Sequence, residues 1–415
     1  MKNKLIQISQ FTEKISRRKL LGGAATAAVA IVQTANGQTI QKAIPQAALA
    51  DDDPTKKMGI PPGEIGTRSS FEKLIKDPSA TSSRSPLQDI YGTITPSDLH
   101  FERNHGGVPA IDPNKHELLI HGLVEKPLIF KVADLKRFPS VSRIAFLECS
   151  GNFRSGKEAL RPQDICGLTS QSEWTGVKLS TIFREAGVKP NATWFLAEGG
   201  DATVMTRSIP VKKGWDDAIL AYAQNGEALR PEQGYPVRLF LPGWEGNTSV
   251  KWLRRLELSD QPFMTREETS KYTEGVNGKV RQFSFDMDAR SIITYPSYPQ
   301  HVEKGWIEIR GIAWSGRGKV VKVEVSTDAG KSWHSANLQD PILDKAHTVF
   351  RHLWQWKGEE TEILSRVTDE TGYVQPTLKQ LVEARGETVG YHFNPITAWQ
   401  IKRDGSVLFK PETFR

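Results

Sequence analysis

Hydrophobic and polar positions alternate along much of the second half of this chain. Trp306-Ile307-Glu308-Ile309-Arg310-Gly311-Ile312 and Val321-Lys322-Val323-Glu324-Val325-Ser326 have the period of two expected of half-buried strands. The second run continues into Thr327-Asp328-Ala329-Gly330-Lys331 and Ser332-Trp333, a strand–turn–strand pattern with glycine where a positive φ is needed. Val349 to Trp356 and Ile363 to Thr368 add further short strands. Short strands separated by turn clusters predict an immunoglobulin-like β-sandwich over residues 286–415. Gly316-Arg317-Gly318 lacks the third glycine and the following helix of a phosphate cradle, so it reads as a loop.

Residues 96–285 have a mixed texture of strands and short helices. His116-Glu117-Leu118-Leu119-Ile120-His121 is strand-like, and its histidines are five apart, not the four of a helical zinc site. Val177 to Ala186 has helical spacing, with Leu179, Ile182 and Phe183 on one face. Val237 to Leu241 predicts a strand entering the turn Pro242-Gly243. The fold class is therefore α+β, a mixed α/β region followed by a sandwich. Residues 51–95 carry Pro54, Pro61, Pro62, Pro78 and Pro86 and predict an extended arm.

Composition narrows the function classes. Hydrophobic residues make up 38% of the chain and there are 11 tryptophans, enough for a large core, which excludes wholesale disorder. A net charge of +7 invites a nucleic-acid partner, but Lys2, Lys4, Lys14, Arg17, Arg18, Lys19 and Lys42 face only Glu13 in the first 50 residues, leaving +1 for the rest. Nucleic acid is not an expected partner. Ser16-Arg17-Arg18-Lys19-Leu20-Leu21, followed by a short apolar stretch and small residues, reads as a twin-arginine signal peptide over 1–37. Cleavage fits near Ala35-Asn36-Gly37, with residue 50 as the outer bound. The expected location is periplasmic, and no apolar run is long enough to predict a transmembrane segment.

The two cysteines, Cys149 and Cys166, could pair in an exported protein, and the absence of Cys-x-x-Cys-His predicts no c-type haem in this chain. The most informative segment is Leu147-Glu148-Cys149-Ser150-Gly151-Asn152-Phe153-Arg154. A strand delivers a cysteine into a turn rich in amides and close to cations, where a lowered thiol pKa and binding of a soft metal are expected. A buried structural thiol is the alternative.

Several motifs in order resemble the sulfite oxidase family of molybdenum-cofactor enzymes from about Phe101 to Trp399: Phe101-Glu102-Arg103-Asn104-His105, Leu147 to Asn152, Glu198-Gly199-Gly200-Asp201, Ala221 to Gly226, Gly234-Tyr235-Pro236-Val237-Arg238 and Ser249-Val250-Lys251-Trp252-Leu253. Within it, Arg230 to Pro236, Met264 to Tyr272 and Asp369 to Pro376 are most similar to the molybdenum subunits of Sox-system sulfane dehydrogenases. The resemblance implies a molybdopterin-binding domain over 96–285 and a dimerisation sandwich. It implies that Cys149 ligates molybdenum, and that Arg103, Asn104, His105, Asp201, Arg238, Ser249, Val250 and Lys251 hold the pterin and its phosphate. Gln233 stands where sulfite oxidases often place a histidine. Tyr272 matches the tyrosine aimed at the metal, and Arg103, Arg154 and Arg385 match an oxyanion pocket.

The implied activity is oxidation of inorganic sulfur, with sulfite to sulfate as the first expectation because Arg154 is present. Electrons would pass to a c-type cytochrome, in a homodimer or a heterotetramer with a cytochrome subunit. The alternatives are a sulfane dehydrogenase acting on carrier-bound persulfide, a sulfoxide reductase on the same fold, and a non-enzymatic anion-binding protein.

Overall fold

The computed structural model describes residues 55, 58–153, 160–276, 278–386 and 390–411. The twin-arginine stretch and Arg154 lie outside the described residues. The chain divides into two compact units, residues 1–71 and 72–415. In the first, Met58, Ile60, Ile65 and Phe71 are exposed. Among the described residues, every strand lies in the second.

Two five-stranded sheets make the first half of this unit. One runs Glu227–Ala228, Ile219–Gln224, Thr169–Lys178, Ser140–Glu148, with Arg238–Phe240 also paired to Ile219–Gln224. The other runs Leu128–Phe130, Leu118–Gly122, Leu253–Ser259, Trp194–Gly199, Thr206–Pro210. It is mixed, because Leu253–Ser259 lies parallel to Leu118–Gly122 and antiparallel to Trp194–Gly199. A shared apolar cluster includes Leu118 and Ile120 from one sheet and Val177, Leu220 and Leu239 from the other. The helix Leu179–Ala186 packs into it through Leu179, Ile182, Phe183 and Ala186, at positions i, i+3, i+4 and i+7. Burial of Leu179, Ile182 and Phe183 contributes roughly 1.5–3 kcal/mol each, which an isolated helix this short lacks. Gly187 ends it at φ +66°, in the left-handed region.

The predicted helix over Val177–Ala186 begins two residues later than its spacing suggests. Val177 and Lys178 finish the strand, Val177 pairing with Ser140 on one side and Leu220 on the other. The predicted arm also carries more structure than its composition implies. Asp77–Pro78 and Ser82–Arg84 pair with each other, and Ser82–Arg84 pairs with Glu102–Arg103 in a small three-stranded sheet. Leu87 enters the main core.

The second half is a sandwich of two sheets. Arg290–Tyr295, Gly305–Trp314, Thr348–Trp356 and Asn337–Leu338 form one; His334–Ser335, Val320–Ser326, Thr361–Asp369, Ala398–Ile401 and Val407–Lys410 form the other. Alternate residues Ile307 and Ile309 point inward to meet Val323, Val325, Ile363 and Val367 from the facing sheet, while Trp306 stays exposed. Val325 pairs with His334 across the predicted turn, where Ala329 and Gly330 have positive φ. The sandwich core is continuous with Phe146, Ile165 and Cys166 of the first half. Among the described residues, helices are few and short, and none is long and apolar enough to cross a membrane.

Candidate active site

The strand Ser140–Glu148 delivers Cys149 to a closely held turn. Cys149 N–H donates to the Leu168 carbonyl at 3.0 Å, and Asn152 N–H donates to the Cys149 carbonyl at 2.9 Å. The Asn152 amide oxygen accepts from Leu168 N–H at 2.7 Å, so the turn is fixed from both ends. Before it, buried Glu148 accepts from Trp314 Nε1 at 2.6 Å and Asn152 Nδ2 at 2.9 Å, with Arg290 at 3.5 Å. Burial pushes that carboxyl above its usual range, and Arg290 opposes the shift. On the far side, a Cβ on Gly246 would stand 2.7 Å from the Glu148 carbonyl, so only glycine allows the Gly246–Thr248 turn to approach.

Cys149 and Cys166 are both free thiols. The Cys149 thiol is not lowered, as its turn had led us to expect, but raised. Burial pushes the thiol up, and the Gly151 amide and Arg103 offset only part of the shift. A buried neutral thiol releases its proton when a soft cation takes its place. Cys166 lies fully buried in the sandwich-side core, with its pKa pushed up to about 11 by burial.

Cys149 faces a cavity whose walls also include Arg103, Asn104, His105, Asp201, Gln233, Arg238, Ser249, Val250, Lys251 and Tyr272. These ten residues, drawn from five separate stretches, were all expected at a site. The structure does not bring Arg385 to this cavity. Its Nη1 donates to the His392 carbonyl at 3.2 Å and its Nη2 pairs with Asp288, so its charge is already committed. Met205, Gly246, Asn247 and Trp252 also line the cavity and had not been singled out as site residues. Gly246 and Asn247 lie three and two residues before Ser249, and that closeness to the Ser249–Lys251 motif is the one signal that could have found them.

The wall is strongly cationic. Arg238 is fully buried; its Nη1 donates to the Gln233 carbonyl at 3.0 Å and its Nη2 to the Ser249 carbonyl at 2.8 Å, with Trp174 stacked 5.1 Å away. Its Nε has no partner, and burial pushes its pKa down to about 9. Lys251 Nζ donates to the Glu232 carbonyl at 2.9 Å and to Asn104 Oδ1, over the Trp252 ring. Burial, with Arg238 adding to it, pushes Lys251 down to about 7. Gly234 adopts φ +106° between them, where a Cβ would stand 3.1 Å from that of Lys251. Gln233 is fixed by its Nε2 donating to the Phe101 carbonyl at 2.8 Å.

At the opposite edge, Asp201 accepts from Thr203 Oγ1 at 2.5 Å and from Met205 N–H at 3.1 Å. The Tyr272 phenol lies 3.3 Å from His105 Nε2. Burial raises the Tyr272 pKa well above its ordinary value, so the phenol stays protonated and can donate. Burial and Arg103 hold His105 below its ordinary value, so its imidazole stays neutral.

Three basic side chains against one carboxylate, a guanidinium nitrogen without a partner and a soft sulfur donor fit an anionic group that carries a soft metal. Among the described residues, no group of three or more His, Cys, Asp or Glu is placed to hold a metal ion.

Comparison with known proteins gives a consistent result. Residues 105–267 match the model of the oxidoreductase molybdopterin binding domain, and 281–398 that of the Mo-co oxidoreductase dimerisation domain. Sulfite oxidase of Gallus gallus is 30% identical over 361 residues, covering 80% of this chain and 77% of its own. The NADH nitrate reductase of Ulva prolifera is 30% identical over 351 residues, which are 72% of this chain but 40% of that protein. The match to human mitochondrial sulfite oxidase, 31% identical, spans 71% of this chain and 59% of that one. The chain thus spans only part of several of its curated relatives. Among solved structures, the sulfane dehydrogenase SoxCD from Paracoccus pantotrophus superposes with a TM-score of 0.79 at 42% identity, covering 90% of this chain and 98% of that one.

Proposed function

The chain belongs to the sulfite oxidase family of molybdopterin-binding oxidoreductases, and from that premise we propose that it oxidises a reduced inorganic sulfur compound. The observation that carries the proposal is a soft thiol, Cys149, at the wall of a cavity whose cations meet no matching set of carboxylates. Molybdenum bound there as its molybdopterin complex would supply two-electron oxidation with transfer of oxygen.

The chain's own residues bind and orient. Arg238 and Lys251, with Asn104 and Ser249 beside them, suit the pterin and its phosphate, and the unpartnered Arg238 Nε offers a buried donor to that group. Cys149 would ligate the metal. Arg103 would attract an anionic substrate, and protonated Tyr272 would donate a hydrogen bond to oxygen on the reacting group.

Of the two substrates, sulfane sulfur borne by a carrier's persulfide has the stronger support. The likeness to a sulfane dehydrogenase is 42% over nearly all of that chain, against 30% for the sulfite oxidase of Gallus gallus. Sulfite is the second reading, favoured by Arg103 at the cavity and by the relatives named sulfite oxidases. Of the remaining arginines expected for sulfite, Arg385 is paired with Asp288 and Arg154 lies outside the described residues.

Electrons would leave to a c-type cytochrome, and the sandwich would pair the chain with a second copy. Export to the periplasm through Arg17 and Arg18 belongs to the same proposal; replacing both with Lys should leave active precursor in the cytoplasm. The central test is metal analysis followed by cytochrome c reduction with sulfite and with a carrier-bound persulfide. Faster turnover of the persulfide supports the first reading and faster sulfite turnover the second. Purified active-fold protein unable to take up molybdenum would overturn both.

A further inference from the structure

Arg207, on the strand Thr206–Pro210, is fully buried and lies outside the cavity wall. Its Nη1 donates to Glu245 Oε1 at 2.9 Å, and its Nε to Glu268 Oε1 at 2.8 Å. Its Nη2 lies 3.4 Å from Glu268 Oε2. The edges of the guanidinium are therefore occupied, and its face is left for stacking. Tyr272 takes that face, with its ring centre 4.8 Å from the guanidinium carbon. Tyr391 meets the same tyrosine at a ring separation of 5.6 Å.

Both carboxylates belong to segments that build the site. Glu268 sits in the single π-helical turn Glu267–Lys271 that ends at Tyr272, and it also accepts from Ser208 N–H at 2.9 Å. Glu245 forms a parallel backbone bridge with Glu148, the residue before Cys149, and its other oxygen lies 3.5 Å from His392 Nε2. One buried ion cluster thus connects the strand end that carries Cys149 with the turn that carries Tyr272.

We infer that Arg207 is a positioning residue for Tyr272, its guanidinium clamped by Glu245 and Glu268 so that the phenol is held toward the cavity. An arginine's planar fork keeps this arrangement, whereas a lysine has neither the second edge nor the flat face. The inference rests on the reading that Tyr272 faces the reacting group.

A double-mutant cycle on the loaded enzyme tests it, together with fluorine NMR of cofactor-free protein carrying meta-fluorotyrosine at position 272. Arg207→Lys keeps the buried charge and should lower kcat by about tenfold or more, with KM changed less, since a small misplacement costs on the order of that much. Tyr272→Phe should also be slow, and the combined variant should be no slower than Tyr272→Phe alone. The fluorine resonance should be single and narrow in the wild type and shifted or broadened in Arg207→Lys. Should Arg207 variants fail to accumulate, Glu268→Gln, which removes one jaw of the clamp, gives the same readouts. Losses that multiply in the combined variant, with an unmoved resonance, would overturn the inference. A fully active Tyr272→Phe enzyme would instead count against the role proposed for Tyr272, and the resonance would still decide whether Arg207 positions it.

Discussion

The two cysteines show how far neighbours decide what a residue does. Both are free and both are shifted upward by burial, but Cys149 faces a cationic cavity and Cys166 faces Leu87, Ile165 and the sandwich core. Cys149→Ser replaces a soft donor with a hard one and should abolish both molybdenum content and turnover. Cys166→Ala removes only a packed sulfur and should retain the metal and most activity, at a cost of about 1 kcal/mol in stability. Molybdenum content by plasma mass spectrometry, beside urea unfolding curves, checks the pair. Equal metal loss in both variants would contradict the assignment. The Cys-Ser-Gly-Asn turn was legible in the sequence as a place for chemistry. The direction of the thiol's shift was not, because it depends on how much of the fold closes over the sulfur.

Among the elements, the decisive one is the turn Gly246–Thr248, pressed against the end of the strand Ser140–Glu148. A methyl group on Gly246 would meet the Glu148 carbonyl oxygen at 2.7 Å and its carbon at 3.1 Å. Gly246→Ala must therefore push the turn outward, with an overpacking cost of roughly 1–3 kcal/mol. The expected outcome is a folded protein with a lowered melting temperature and sharply reduced molybdenum content. Unchanged metal content would show that the close approach does not matter to the site. The strand that delivers Cys149 was legible in the sequence, whereas the turn Gly246–Thr248 was not. Their contact joins positions nearly a hundred residues apart, and no local periodicity encodes it.

For the whole molecule, the sandwich and the cavity-bearing half share one core and several buried hydrogen bonds, among them Trp314 Nε1 to Glu148 and Thr169 Oγ1 with His347 Nε2. The two halves of this unit should unfold together, and acid should weaken both. His100 and His347 are fully buried, and burial holds both at about 3. Below their ordinary value of 6.5 the unfolded chain binds protons that the native state refuses, so stability falls as pH drops from there toward 3. Each contributes a loss approaching about 1.4 kcal/mol per pH unit over that window. His105, His116 and His352 are shifted the same way by burial. Burial also lowers His392, but Glu245 outweighs it and raises the group, so its contribution is complete below 6.5 and offsets none of the loss. Urea unfolding free energies at a series of pH values from about 7 to 5 check this. A His347→Asn variant should show a shallower slope, and an identical slope would contradict the assignment.

What the sequence determined by itself was the set of chemical parts and their strand frame. Alternation placed Ile307 and Ile309 inside the sandwich, because side-chain direction in a strand is a local, two-residue property. Motif residues from Arg103 to Tyr272 were readable through the resemblance to the sulfite oxidase family, which short local runs of sequence carry. Only the tertiary structure decided which charges are free to act. Arg385 and Arg103 look alike in sequence, but Arg385 is neutralised by Asp288 while Arg103 lines the cavity. Arg207 carried no motif signal at all, and becomes notable only because Glu245, Glu268 and Tyr272 converge on it from distant segments. Pairing and burial are sums over distant neighbours, and the folded chain alone brings those neighbours together.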